Sequence, residues 1–251
     1  MDRFPGNRER KTEGEITLPQ RWKILDGSAL KLIAVITMLI DHTAATLLVN
    51  DTRVLFSLAG HTMGLYQFMR YIGRLSFPIF CFLIVEGFQH TRDVKRYALN
   101  LFLFALISEI PWNLEHCGSL FYAKQNVMFT LLLGLLGMWV IRVFHEQRVK
   151  ELVLLLGLLL ISIVLKADYG CSGFGFILML YLLRNSKLYQ AVVGSCFLSS
   201  RWIAGLAFIP INLYNGKRGF IDHPWKKYLF YAVYPGHMLV LYLIKNASIG
   251  Y

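Results

Sequence analysis

The first long apolar stretch, LDGSALKLIAVITMLIDHTAATLLV, carries three ionisable side chains where a bilayer would have to hold them: Lys31, Asp41 and His42. Charged and titratable groups inside a membrane span are costly, so each is a functional candidate by default. The step from Lys31 to His42 is eleven residues, about three helical turns or ~16 Å of axis. Cation and imidazole therefore share one face of a helix. A cation suits an anionic ligand, and an imidazole can exchange a proton near neutral pH. Asp41 is rotated by about 100° from that stripe, in a position to orient or charge a neighbouring group. The plainer readings are a lysine snorkelling to the headgroups and a histidine that only packs. An adjacent Asp–His pair in an apolar interior resists them, because desolvated polar groups persist only with partners.

Further along, YIGRLSFPIFCFLIVEGFQHTRD places Arg70 and Arg74 at one end of a second span and Glu86 near the other, with Pro78 expected to kink it. The third span puts Ser108 and Glu109 before Pro111, Trp112 and Asn113. An Arg74–Glu109 salt bridge, structural or functional, is one expected pairing. Asn126 opens the fourth span, and ADYGCSG holds Asp168 with Gly170 and Gly173, glycines that suit a close helix approach or a re-entrant turn. In the last span, FYAVYPGHMLVLYLI, Tyr231, Tyr234 and His237 recur every three residues, and Pro235 breaks the backbone ladder. Interfacial aromatics account for the tyrosines; His237 is too deep for that.

The elements that must position these groups are membrane helices. The chain has 251 residues, 56% of them from the hydrophobic set and 16% charged, against about 25% charged in a soluble domain. Its mean hydropathy is +0.49. So little charge cannot coat a soluble surface, which leaves an all-α, polytopic integral membrane bundle. Candidate spans are 27–49, 71–88, 97–114, 126–144, 151–166, 172–183, 188–199, 202–213 and 228–245, or about eight or nine crossings. Residues 1–24 read as a polar cytoplasmic tail and 25–251 as a single domain. The net charge of +11 lies between the apolar runs, as orientation by positive loops requires, and no nucleic-acid motif accompanies it. With the tail inside, Arg92, Lys95, Arg96, Arg142, Arg148, Lys150, Arg184 and Lys187 fall on the cytoplasmic face. Lys217, Arg218, Lys226 and Lys227 should fall there too, which requires 188–213 to cross twice, as a tight hairpin with Arg201 near the outer surface. Cys81, Cys117, Cys171 and Cys196 show no metal-like spacing, and no metal is expected.

The stretches LKLIAVITMLIDH, GRLSFPIFCFLIVEGFQHTRD, ISEIPWNL, NVMFTLLLGL, ADYG and FYAVYPGHMLVLYL together resemble the TraX family, whose namesake acetylates the N-terminus of a conjugative pilin. That family in turn is similar to the transmembrane acyltransferases, which have LDG, a cation, ten residues and a histidine in the first helix. Here Leu25–Gly27, Lys31 and His42 match, and Arg92 with Lys95 and Arg96 stands in for the wider family's Arg-x-x-Arg pair. The resemblance implies acetyl-CoA as cytosolic donor and an amine or hydroxyl acceptor, such as a pilin N-terminus or an envelope glycan. It implies His42 as general base or transient acyl carrier, Asp41 or Glu109 as stabiliser of its imidazolium, and Arg74 at the oxyanion. Lys31, Arg92, Lys95 and Arg96 would hold CoA phosphates, with Arg70, Glu86, Asn113, Asp168, Tyr234 and His237 as further substrate contacts. It also implies a bacterial inner-membrane location. Two alternatives stand beside it: a proton-coupled carrier, for which no inverted repeat is visible, and a non-catalytic pilus or envelope assembly factor.

Overall fold

The computed structural model describes residues 19–58, 61–221 and 224–249. The expected N-terminal tail therefore lies, up to residue 18, outside the described residues. Polar caps set the helix starts. Asp26 accepts from Ala29 N and opens α1, Gly27–Leu47. Asp93 accepts from Arg96 N and opens α4, Val94–Cys117. Asn126 accepts from Met128 N and opens α5, Val127–Phe144. Each side chain satisfies a backbone N–H that the first turn leaves without a partner. At its far end α4 stops at Gly118, which takes a left-handed φ of 67°.

The second span differs from expectation. It consists of α2, Leu65–Gly73, and α3, Ser76–His90, separated at Arg74 and Leu75. Pro78 is not a kink. It occupies the first turn of α3, where a missing N–H removes no intrahelical bond. Pro111 and Pro235 likewise sit inside continuous helices, α4 and α10, Pro224–Ile249. The all-α expectation also needs a small correction. Between α1 and α2, Val54–Leu58 (β1) and His61–Gly64 (β2) pair as an antiparallel hairpin with Phe56 opposite Met63 and Ser57 opposite Thr62.

The rest of the chain forms α6, Arg148–Val164, α7, Gly170–Leu182, and α8, Lys187–Phe197. A 3-10 segment, Ser199–Ala207, and the short α9, Phe208–Asn212, return along α8. The chain thus turns back on itself over 188–213, the reversal a hairpin there requires; the side chain of Arg201 lies outside the described residues. Four described stretches are long and apolar enough to cross a bilayer: Gly27–Leu47, Leu65–His90, Val94–Cys117 and Val127–Phe144. Gly170–Leu182 and Trp202–Asn212 are apolar but shorter. The protein is a helical membrane protein.

Packing follows from the apolar faces. Helix α1 lies against α2, α3 and α10, while α10 also lies along α4, and α5 packs on α4, α6 and α7. The core is filled by Leu30, Met38, Phe82, Phe88, Leu135 and Phe176 among others. In the ADYG turn Tyr169 takes a left-handed φ of 64° and stacks on Phe77 at 3.6 Å. One turn later a Cβ at Gly173 would meet Thr130 at 2.7 Å. The segment is thus both a turn and a close helix approach.

Candidate active site

A cavity of about 1130 Å³ runs between α1, α3, α4 and α10 and reaches the start of α5. That exceeds the range of most small-molecule pockets. Lys31, Glu86, Arg92, Arg96 and Arg218 line one end; Asp41, His42, Arg70, Arg74 and Asp168 line the other. Val35, Met38, Phe80 and Leu101 line the stretch between. Lys31 and His42 thus face one continuous space, as their eleven-residue spacing requires. The cavity has a cationic end, an apolar middle and a mixed polar end around His42.

The hydrogen bonds around His42 fix its tautomer. His237 Nδ1 is 2.8 Å from the Val233 carbonyl oxygen, which can only accept, so that nitrogen carries the proton. In the neutral ring His237 Nε2 is then an acceptor. It lies 2.6 Å from His42 Nδ1, which must therefore donate. The Nε2 of neutral His42 is left with a lone pair, in the wall of the cavity. The two rings are stacked with centroids 4.8 Å apart. A base oriented by a hydrogen-bonded second group is the arrangement proton abstraction needs.

Asp41 also reaches the cavity, but its carboxylate is turned towards α2. Arg70 donates to Asp41 Oδ2 at 2.6 Å. The helices approach closely here, and a Cβ at Gly73 would stand 2.2 Å from Asp41 Cβ. Gly73→Ala is therefore expected to destabilise the protein by about 1–3 kcal/mol and to push Asp41 off Arg70. Thermal unfolding in detergent measures the first effect, and an unchanged midpoint would contradict the close approach. Arg74, the residue that ends α2, lies in electrostatic range of the same Asp41. It makes no ion pair of its own among the described residues and lines the cavity.

The remaining sequence candidates divide. Asp168 lines the His42 end, its carbonyl accepting from Thr130 and its carboxylate from Tyr169 N at 3.1 Å. Tyr234 lines it too, in edge contact with the His42 ring at 6.5 Å. Glu109 lies off the cavity and does not meet Arg74. Its Oε1 accepts from Asn126 N at 3.0 Å and Asn126 Nδ2 at 2.6 Å, tying α4 to the start of α5. Asn113 donates to the Leu120 carbonyl at 2.8 Å and holds the loop after α4. Neither Asn113 nor Lys95 lines the cavity.

Sequence reasoning missed a second acid–imidazole pair. Glu115 and His116 line the cavity and act electrostatically on His42. Thr46, one turn beyond His42 on α1, donates to Glu115 Oε1, and His116 Nδ1 is 2.5 Å from Glu115 Oε2. The signal was present in the string: EH at 115–116 has the same adjacent acid–His form as DH at 41–42. Ending the third span at residue 114 hid it.

The chain is thus a helical membrane protein with an internal cavity that His42, Arg70 and Arg74 line at one end and Lys31, Arg92, Arg96 and Arg218 at the other. The family described as TraX protein matches residues 26–245, and the chain belongs to that family. A Dichelobacter nodosus protein named "Probable fimbrial assembly protein FimC, serogroup H1" is 29% identical, over 86% of this chain and 95% of its own. No solved structure matches the chain.

Proposed function

We propose that this protein is an inner-membrane acetyltransferase with its N-terminus in the cytoplasm and about eight or nine crossings. It transfers acetyl from cytosolic acetyl-CoA to an amine or hydroxyl of a pilus or envelope acceptor. The observation that carries the reading is His42, its Nδ1 bonded to His237 and its Nε2 without a hydrogen-bond partner among the described residues, in the wall of a cavity that runs on to Lys31, Arg92 and Arg96. The pantetheine arm has a chain about as long as four extended residues, ~14 Å. That is close to the ~16 Å of helix axis between Lys31 and His42. Phosphates held at the cationic end would therefore place the thioester beside the imidazole.

In the reaction, His42 Nε2 takes a proton from the acceptor as its nitrogen or oxygen attacks the thioester carbonyl carbon. His42 Nδ1–H stays on His237, which holds the ring in register. Arg74, which lines the same end of the cavity, bonds the oxyanion that develops. Collapse breaks the carbon–sulfur bond, and the departing thiolate takes the proton from the imidazolium. The products are CoA and the acetylated acceptor. The same lone pair serves the other route, in which His42 is acetylated first.

Calorimetry with acetyl-CoA and the full chain in detergent tests this reading. Saturable binding is expected, weakened about tenfold by Lys31→Ala through loss of a charge-assisted phosphate contact. Absence of binding by folded protein would instead favour an assembly factor without chemistry, a reading that the name of the Dichelobacter nodosus relative also supports. That alternative expects pili to assemble normally when His42 is replaced.

A further inference from the structure

The cationic mouth contains a residue that no motif singled out. Residues 213–221 are laced to the start of α1 by backbone and side-chain bonds. Leu25 N donates to Leu213 O at 3.0 Å, Asn215 N to Leu25 O at 2.8 Å and Gly27 N to Lys217 O at 2.8 Å. Ser28 Oγ donates to Arg218 O at 3.0 Å and accepts from Ile221 N at 2.8 Å. Gly219, at φ 81°, has no room for a side chain, since a Cβ would meet Asp26 Oδ1 at 2.4 Å. The LDGS sequence is thus a clasp, and what it fixes is the backbone of Arg218, an exposed residue that lines the cavity mouth.

We infer that Arg218 binds the ribose 3′-phosphate of the donor and so selects CoA thioesters over their 3′-dephospho forms. The inference rests on the donor site proposed above and extends it. Four cations line this end: Lys31 half-buried on α1, Arg92 and Arg96 at the start of α4, and Arg218 exposed on the clasp. The carboxylates nearby are occupied. Asp93 caps α4 through Arg96 N at 2.9 Å. Glu86 lies 3.7 Å from His90 and accepts from the Tyr214 phenol, which burial first and that carboxylate second push up to about 12. CoA brings a diphosphate and a phosphate monoester of nearly two charges, a close match to four cations. The monoester lies beyond the diphosphate, furthest from the thioester. Lys31 and the start of α4, on the way inward, take the diphosphate; the clasp, at the mouth, takes the monoester.

The test is calorimetry on the full chain in detergent with acetyl-CoA and with 3′-dephospho-acetyl-CoA, for wild type, Arg218→Ala and Arg92→Ala. Wild type should bind acetyl-CoA about tenfold more tightly, the scale of one charged hydrogen-bonded contact. Arg218→Ala should abolish that preference and leave the dephospho ligand's affinity unchanged. Arg92→Ala should weaken both. The clasp bonds use the Arg218 carbonyl, so the alanine variant keeps them, and an unchanged unfolding midpoint checks that. Equal wild-type affinities, or equal loss of both in Arg218→Ala, would overturn the inference while leaving the donor site standing. No effect of Arg218→Ala on either ligand would overturn it too, and point to a lipid headgroup at that guanidinium. Failure of folded wild type to bind either thioester would overturn the donor site and the inference together.

Discussion

His42→Ala is expected to lower acetyl transfer by about two to four orders of magnitude, the range supplied by a positioned general base. Acetyl-CoA affinity should be unchanged. The reason for the split is spatial. In the proposed donor site the phosphates are held by Lys31, Arg92, Arg96 and Arg218, which line the other end of the cavity from His42. Removing the imidazole removes the proton acceptor and little binding surface. His42→Gln is the sharper control, since its amide can still donate to His237 Nε2 and keep the local hydrogen bond. It has no basic nitrogen, so it should be as inactive as alanine. Acetyl transfer from acetyl-CoA to a pilin N-terminal amine or a glycan hydroxyl, read beside calorimetry on the same preparations, decides it. Normal transfer by a folded His42→Ala protein would falsify the mechanism. A parallel loss of binding and transfer would mean the imidazole organises the cavity instead of acting in it.

Much of this site is legible in the first helix alone. Lys31 and His42 face one cavity because eleven residues is a near-integral number of helical turns, and spacing within a helix is local information. Partnerships between helices are not. His237 lies 195 positions from His42, and nothing in either span says that α10 packs on α1 at that level. Glu109 shows the same limit from the other side. A carboxylate next to Pro111 reads as catalytic by type, yet α5 starts beside it and Asn126 takes its oxygen. Proline is a further case: Pro78 reads as an interior residue of a span from 71, but α3 begins only at Ser76, which puts it in the first turn. The β1–β2 hairpin falls between the candidate spans 27–49 and 71–88, in a stretch that could not itself cross a bilayer. VLFSL and HTMG are too short and too exposed for that: Val54, Leu55 and Phe56 are each about half accessible.

The second large effect should come from His237, which touches no reacting atom in the proposed mechanism. His237→Ala removes the acceptor for His42 Nδ1–H. The imidazole can then rotate, or carry its proton on Nε2, and in either state it presents no lone pair to the acceptor. A loss of about a hundredfold in kcat is expected, with KM for acetyl-CoA unchanged, by the logic of a base that loses its orienting partner. A merely structural role predicts otherwise, with reduced stability and parallel losses in every kinetic constant. His237→Gln separates the two. Its side-chain oxygen can accept from His42 Nδ1 much as the imidazole nitrogen does, so most of the rate should return. His237→Phe fills the space but accepts nothing, and should behave like alanine. If phenylalanine rescues and glutamine does not, the ring at 237 is packing, and the tautomer of His42 is set elsewhere.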